Sequence, residues 1–434
     1  MLPYFKKSEN FISDVREREK FHGTGGELTV TKDNHKDPVI DVLMEAAQEL
    51  GYQVGDINGE LEDEGFTPSQ VFTKDLNTFY NLIVKVTLKE GSRSGTFRTF
   101  AEKHSGSGLT VLTHAHVNKV IIEGKRAVGV EVRASQVITS RYSDIFQLTR
   151  FGVVTQYVAR QEVVLSAGSI GSPQILMLSG VGDSQHLQEV GVAPVHHLPA
   201  VGKNLQDHLI VSFIFDTVDP LTMDVLGSMS PSAVLSYLSG DGPMSSTGGC
   251  GGLAFIHTEL SDRSRPDIQL HLISLSLATD HGLVLKPAFG VTEDYWPWFA
   301  RHSHNSSTTV AVTLSRPESR GFIKLQSTDP QVHPLIQPNY LTSQRDVDTL
   351  VAGIRTSLKL LDTDTMKRVG AQLWEVSNFS PFLRKVLMAR PCRSVVRTTS
   401  GTARPTGSAT SDSSRPLSTT RSGPLPWGRS STTG

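Results

Sequence analysis

The spacing of apolar residues predicts helices and hairpins in the first half of this chain. In segment 39–50 apolar residues recur every three to four positions and Gly51 follows, which predicts a surface helix that ends at this glycine. Segment 109–122 alternates apolar and polar residues and then runs apolar, and 127–132 is apolar again after a short polar turn. This arrangement predicts a β-hairpin.

A strand, a turn and a helix are predicted in segment 162–182. The apolar, β-branched run 163–165 predicts a buried strand, and the small residues 167–169 follow where the chain has to turn. Ser172 stands in the position of an N-cap and Pro173 in the first position of a helix that two glycines end. Because the N–H groups at a helix start lack partners, this order predicts an anion-binding turn.

Beyond residue 208 the pattern favours strands joined by long polar connections. Segment 346–361 carries a hydrophobic stripe at helical spacing, so we expect a helix there. The strand candidates are 209–215, 267–273, 307–314 and 321–325. A sheet with helices on one side is typical of an α+β domain. Segment 282–305, with Trp296 and Trp298, has no regular period, and it is either a loop over a binding site or an irregular surface excursion.

Composition narrows the class of protein. The 434 residues are 38% hydrophobic, which is enough for two or three domains. A formal net charge of −1 provides no basic field for nucleic acid, and two cysteines support neither a disulfide framework nor a cysteine zinc site. No apolar run reaches the roughly 18 residues of a membrane span, and the chain as written begins without an export signal. Its localisation and oligomeric state stay unassigned.

The last part of the chain differs from the rest. From Ser394 onward Ser, Thr, Arg, Gly and Pro predominate and Asp412 is the only acidic residue, a composition that cannot form a core. A disordered tail explains this composition, and so does a shift of reading frame near Arg393. We favour the shifted frame.

The helix predicted after the 167–169 turn carries a resemblance to a known family. Segment 168–182 resembles the second signature of the glucose-methanol-choline (GMC) family of flavin-dependent alcohol oxidoreductases, in a form similar to insect glucose dehydrogenase-like members. The matching positions are Gly168, Ser169, Ser172, Pro173, Ile175, Leu176, Ser179, Gly180, Val181 and Gly182. Flanking segments, including 201–208 and 316–321, match in the same order, so the resemblance covers roughly residues 1 to 390.

The resemblance implies a fold, a cofactor and a reaction. It implies α/β plus α+β architecture, with an incomplete Rossmann-like FAD-binding domain of the GMC type in 1–208 and an antiparallel-sheet substrate domain in 209–390, before a tail in 391–434. The implied reaction is oxidation of the CH–OH group of a small alcohol or sugar by hydride transfer to FAD. The implied cofactor-binding residues are Val117, whose backbone meets the adenine side, and Ala167, Gly168 and Ser169 beside the flavin and its diphosphate.

Two parts of the family pattern have no match in this sequence. No strand followed by Gly-x-Gly-x-x-Gly precedes residue 160, so we expect Met1 to lie inside a longer reading frame and the nucleotide-binding βαβ unit to be absent. The family's catalytic His lies in a His-Pro-x-Gly-Thr segment, and no His follows His333. No catalytic residue is therefore assigned, and we expect neither turnover nor a flavin band from the purified chain as written.

Other motifs are weaker. His114 with His116, and the 196–197 histidine pair, have spacings that fit a metal, but they lack acidic or Cys companions and no metal is assigned. Segment 91–95 fits either the family's Gly-x-Arg-x-Ser segment or a plain loop before a helix. Segment 201–208 is expected to hold a chain crossover between domains.

Two functional hypotheses from different classes follow. The first is an FAD-dependent GMC oxidoreductase with a small-molecule alcohol substrate, in a truncated or inactive version. The alternative is a non-catalytic GMC relative that binds a small molecule, and a folded product without function is a third reading. Neither nucleic acid nor a membrane span enters any of these hypotheses.

Overall fold

The structure is a computed structural model that describes residues 1–12, 21–30, 37–55, 64–68, 88–89, 92–93, 95–104, 107–134, 153–239, 242–245 and 248–374. The chain divides into a unit Met1–Pro391 and a unit Cys392–Gly434, and all described residues lie in the first. The tail predicted for 391–434 therefore lies outside the described residues.

The elements of the described residues are numbered in chain order. The α-helices are α1 (Leu2–Ser8), α2 (Pro38–Glu49), α3 (Gly168–Leu178), α4 (Ser184–Glu189), α5 (Pro231–Leu238), α6 (Leu285–Ala288), α7 (Trp296–Ala300), α8 (Gln344–Leu358) and α9 (Asp364–Arg368). The strands are β1 (Glu9–Phe11), β2 (Leu28–Val30), β3 (Gly65–Pro68), β4 (Leu88–Lys89), β5 (Ser92–Arg93), β6 (Ala115–Glu123), β7 (Arg126–Ala134), β8 (Val154–Val158), β9 (Val181–Gly182), β10 (His196–His197), β11 (Lys203–Leu205), β12 (Ile210–Thr217), β13 (Cys250–Ile256), β14 (Ile268–Ile273), β15 (Ser306–Leu314), β16 (Gly321–Lys324), β17 (Leu335–Gln337) and β18 (Gln372–Leu373).

A six-stranded antiparallel sheet forms the largest core. Its strand order is β18-β12-β15-β14-β13-β3. The apolar stripes of α2 and α8 pack on one face, where Leu43 and Leu350 are fully buried with Phe215 of β12. Alternation along β12 sends Ile214 to the opposite face. The predicted antiparallel sheet is thus confirmed, with α2 and α8 on one face.

Strand β13 was not predicted from the sequence. The strand contains Cys250-Gly-Gly, a composition that weakens strand propensity, and a register shift lies between Cys250 and Gly252. Tertiary packing compensates, because a Cβ at Gly252 would stand about 3.1 Å from side-chain atoms of Leu272 and Met44. A glycine fits where the strand, its neighbour β14 and helix α2 meet.

Two smaller sheets flank this core. The predicted hairpin is confirmed as β6 and β7, which β8 extends to an antiparallel meander. Strands β11, β16 and β17 form a second three-stranded antiparallel sheet, packed through Ile323 and Leu325 against Met177 of α3 and Leu187 of α4. Parallel pairing among the described residues occurs in the two-stranded sheets β1–β2 and β9–β10.

The segment 282–305 is a packed element of the second sheet face. It contains α6 and α7, and Phe299 lies in a buried cluster with Ile214 and Trp374. The carboxylate of Asp280 accepts hydrogen bonds from the N–H groups at the start of α6, which ties the loop down. The segment therefore covers part of this sheet face, and that it lies over a binding site stays a prediction.

A buried histidine contact on α4 predicts a pH dependence of folding. His186 Nε2 accepts the N–H of Leu325 at 3.2 Å, and burial, with the nearby charge of Lys324, lowers the pKa of His186 below 6.5. The unfolded state then binds more protons than the folded state, so this contribution to stability is present above the unfolded pKa and is lost as the pH falls below it. We expect the free energy of unfolding by urea to decrease from about pH 7.5 to about pH 5.5.

A glutamine at this position isolates that effect. His186→Gln keeps an acceptor for Leu325 but does not titrate, so its stability should vary less with pH than that of the wild type. His116→Gln is the control, because His116 is exposed on β6. Equal pH slopes for the wild type and His186→Gln would contradict the assignment.

Candidate functional site

The turn before α3 is built from exposed small residues. Ala167 is the N-cap, Gly168 begins the helix with φ +77°, and both are exposed together with Ser169. Among the described residues no side chain caps this end. A Cβ at Gly168 would have no atom within 4 Å, so open space lies in front of the turn. The arrangement presents the N–H groups of the first helical turn, as an anion-binding turn requires.

Two local predictions for this segment are wrong. The helix begins four residues before Ser172, whose hydroxyl instead accepts the N–H of Ala167 at 3.1 Å. Pro173 therefore lies inside α3, where its ring removes one intrahelical hydrogen bond, and the carbonyl that loses it belongs to the exposed Ser169 and can be hydrated. The expected end of the helix is confirmed by Gly180 with φ +83°.

The strand predicted for 163–165 is absent from the described structure. These residues are outside all strands, and 73% of Val164 is exposed. An apolar run becomes a buried strand only when a neighbouring strand supplies hydrogen bonds and cover, and no described strand pairs with this run. The composition of this run favours a strand, but no described strand pairs with it.

Ser179 joins the helix to the strand that carries Val117. Its hydroxyl donates to the carbonyl of Ile175 at 2.6 Å and accepts the N–H of Val120 in β6 at 2.8 Å. Val117 is half-buried in the same strand and pairs with Val132. The structure therefore places all four predicted cofactor-binding residues, Val117, Ala167, Gly168 and Ser169, on one packed unit formed by α3 and β6.

A buried acceptor stands next to Val117. Asn118 donates from Nδ2 to Glu131 Oε1 at 3.0 Å, whereas its Oδ1 is buried and makes no hydrogen bond with any described residue. A buried acceptor without a donor costs free energy. A ligand with an N–H donor would satisfy it, which fits a nucleotide base better than an apolar ligand.

The second face of the six-stranded sheet carries small and polar side chains. His271 lies at its centre in β14, in register with Ala311 of β15 and, one strand further, with Ser212 of β12. Burial lowers the pKa of His271, and the neighbouring His208 adds to this effect. The imidazole is therefore neutral at neutral pH and available as a hydrogen-bond acceptor or donor.

The sequence analysis did not identify His271. The available signal was strand alternation in Ile268–Ile273, which puts Gln269, His271 and Ile273 on one face and the buried residues on the other. That pattern shows which side chains share a face. It does not show that His208, far away along the chain, lies beside His271.

The segment 201–208 leads from one sheet into another, and its role in a crossover between domains stays a prediction. Strand β11 belongs to the three-stranded sheet and β12 to the six-stranded sheet, so the chain passes between them at 206–209. Asn204 adopts φ +62°, a conformation that Asn tolerates better than most residues. Asp207 accepts a hydrogen bond from the hydroxyl of Tyr340.

The described residues contain no group of three or more His, Cys, Asp or Glu side chains arranged to hold a metal ion. His116 is exposed on β6, and His197 Nδ1 lies 3.1 Å from the hydroxyl of Ser184. Of the residues 91–95, the described part pairs in β4–β5 or leads into the π-helical turn Phe97–Ala101. Within the described ranges, every helix is too short or too polar to cross a membrane.

Comparisons with known proteins agree on one family. Family models described as GMC oxidoreductase match residues 1–210 and 317–413. Glucose dehydrogenase [FAD, quinone] of Drosophila pseudoobscura pseudoobscura is 34% identical over 385 residues, which cover 86% of this chain and 53% of that protein. Alcohol dehydrogenase [acceptor] of Pseudomonas putida is 31% identical over 370 residues, covering 84% of this chain and 58% of that protein.

Solved structures show the same fold. The crystal structure of a formate oxidase matches 89% of this chain and 66% of its own chain with a TM-score of 0.69 and 23% sequence identity. At this identity the likeness concerns the fold alone. The chain spans about half the length of the curated relatives it matches.

Proposed function

The chain belongs to the glucose-methanol-choline (GMC) oxidoreductase family, and from this premise we propose that it takes part in FAD-dependent oxidation of the CH–OH group of a small alcohol or sugar. The observation that supports the proposal best is the turn before α3. Its exposed N–H groups, the φ of +77° at Gly168 and the open space in front of that residue fit the close approach of a dinucleotide.

In this proposal each predicted residue has a defined task. The backbone of Ala167, Gly168 and Ser169 holds the flavin side and its diphosphate, and the backbone of Val117 contacts the adenine side. The buried Oδ1 of Asn118 fits an N–H donor of the same ligand. When bound, FAD accepts the carbinol hydrogen of the alcohol as a hydride.

The second sheet face is proposed as the wall that contacts the substrate. A wall lined by Ser212, Gln269 and the neutral His271 offers hydrogen bonds to hydroxyl groups. The segment 282–305, here called the aromatic loop, covers part of this face through Phe299 and excludes water from it. Names of the relatives, a glucose dehydrogenase and an alcohol dehydrogenase, support a hydroxylated small molecule as substrate.

Titration with FAD tests the proposal. Because the described residues supply one side of the site, we expect weak, saturable binding of added FAD, seen as quenching of flavin fluorescence, while purified protein shows no absorbance near about 450 nm. Gly168→Ala should weaken FAD binding about tenfold, since an L-residue at this φ costs about 1–2 kcal/mol and moves the N–H groups of the turn.

A matched control separates strain from binding. Gly51 has φ +87° and, like Gly168, no atom within 4 Å of an added Cβ, but it lies at the end of α2. Gly51→Ala should lower the stability by a similar amount and leave FAD binding unchanged. No saturable FAD binding, with retained binding of an alcohol, would favour the alternative of a non-catalytic small-molecule binding module.

A further inference from the structure

A polar pocket lies where the chain twice passes between two sheets. One side is formed by Gln206, Asp207 and His208 between β11 and β12, and the other by residues 315–317 with Arg320 between β15 and β16. Its volume is about 520 Å³, within the range of small-molecule sites. The pocket does not include the turn before α3, and it borders the proposed substrate wall through His208, which lies near His271.

Two arginines give the pocket its charge. The guanidinium of Arg316 makes no hydrogen bond or ion pair with any described residue. Arg320 donates from Nη1 to the carbonyls of Pro317 at 2.5 Å and Ser319 at 3.0 Å. These bonds orient its guanidinium and leave its Nε and Nη2 donors without a partner among the described residues. Guanidinium groups bind carboxylate and phosphate oxygens in paired hydrogen bonds.

The hydroxyl of Ser315 is a third donor in the lining of this pocket. The hydroxyl of Ser315 is buried and makes no hydrogen bond with any described residue, although Ser315 lines the pocket. A buried hydroxyl without a partner destabilises the folded protein. An oxyanion in the pocket would accept its proton and remove that cost.

The wall that carries Arg320 is held rigid. Asp346 accepts the N–H groups of Glu318 and Ser319 at 2.7 and 2.9 Å and the hydroxyl of Ser319 at 2.5 Å. Asp346 is only 2% exposed. This anchoring fixes the backbone on both sides of Ser319, so the pocket needs little reordering to bind.

Asp207, the acidic residue in the lining of the pocket, already accepts a hydrogen bond. Asp207 accepts a hydrogen bond from the Tyr340 hydroxyl, which raises the pKa of Tyr340 to about 12. Tyr340 therefore stays protonated and continues to bind this carboxylate. The lining therefore carries two arginines and one engaged aspartate, and the carboxylates of Asp262 and Asp346 lie near Arg316 and Arg320.

We propose that this pocket binds the carboxylate or phosphate group of a small anionic molecule through Arg316, Arg320 and the hydroxyl of Ser315. All three binding groups lie in the segment between β15 of the six-stranded sheet and β16 of the three-stranded sheet. Binding should therefore stabilise the contact between the three-stranded and six-stranded sheets. This inference does not depend on FAD or on turnover.

Titration of the whole chain tests the proposal with two probes, inorganic phosphate and succinate, at constant ionic strength set with chloride. We expect at least one probe to raise the unfolding temperature in a saturable way and to bind in isothermal titration calorimetry. Phosphate alone identifies the group as phosphate, succinate alone as carboxylate, and both outcomes support the site. No saturable effect of either probe would overturn it.

Variants locate the binding. Arg316→Gln should weaken binding about tenfold, the loss of a charge-assisted hydrogen bond. Arg301→Gln is the matched control, because Arg301 is also exposed but lies at the end of α7 over the Trp298 ring. Ser315→Ala should weaken binding while leaving the unliganded protein at least as stable as the wild type. Equal weakening by Arg316→Gln and Arg301→Gln would show general charge screening and overturn the site.

Discussion

Gly202→Ala is expected to lower the free energy of unfolding by about 3 kcal/mol or more, because it combines backbone strain with a steric clash. Gly202 adopts φ +77°, and a Cβ there would overlap the carbonyl oxygen of Ile323 in β16. The strand cannot move away, since Ile323 donates its N–H to the carbonyl of Gly202 at 2.6 Å. Urea unfolding followed by tryptophan fluorescence measures the loss.

Gly191→Ala is the matched control for this prediction. Gly191 has φ +82°, and the nearest atom to an added Cβ is Thr328 Cγ2 at 3.6 Å, an ordinary contact. This variant should lose only the strain of the left-handed backbone, about 1–2 kcal/mol. If the two variants lose the same stability, packing of the 201–205 segment against β16 does not restrict position 202. Should Gly202→Ala fail to accumulate in soluble form while Gly191→Ala does, the clash is supported as well.

The second large effect is expected for Asp216→Ala, with a loss of about 3 kcal/mol from unsatisfied partners. Asp216 Oδ1 accepts Trp374 Nε1 at 2.6 Å and the hydroxyl of Ser307 at 2.7 Å. Its Oδ2 accepts Asn305 Nδ2 at 2.6 Å and lies 3.0 Å from His302 Nδ1. One carboxylate therefore joins β12, β15, the aromatic loop and the end of β18.

Tryptophan fluorescence reports this change directly. His302 stacks on Trp374 with ring centroids 3.7 Å apart, and Trp374 is only 3% exposed. Loss of Asp216 should loosen both rings and shift the emission to longer wavelength in the folded state. Asp219→Ala, an exposed position shortly after β12, is the control and should change stability by less than about 0.5 kcal/mol. A similarly small change in Asp216→Ala would show that the four contacts do not stabilise the fold.

The spacing of apolar residues predicted those helices and strands that bury one face of a single continuous segment. The apolar stripe of 39–50 predicted α2, and alternation predicted the β6–β7 hairpin, although β6 begins at Ala115 and not at 109. The strands β12, β14 and β15 were predicted within two residues, because one face of each is buried and period two marks it. The GMC resemblance also rests on local strings, and the family comparisons confirm it.

Predictions failed where distant residues decide the structure. Ser172 and Pro173 read as a helix start, yet α3 begins at Gly168. The run 163–165 has strand composition but no described partner, whereas β13 forms despite two glycines, of which Gly252 lies close to side chains of β14 and α2. Intrinsic preferences of about 1 kcal/mol per residue are overcome by such packing.

In the candidate site, too, some features follow from short sequence segments and others only from the tertiary structure. The sequence by itself determined the family and the strands of the large antiparallel sheet, because spacing within short segments carries that information, and the resemblance predicts Val117, Ala167, Gly168 and Ser169 as cofactor-binding residues. Only the tertiary structure decided that Ser179 joins α3 to β6, that His208 lies beside His271, and that Arg316 faces Asp207 across a pocket. These contacts join residues far apart along the chain, and their geometry depends on how the sheets pack, which no local pattern contains.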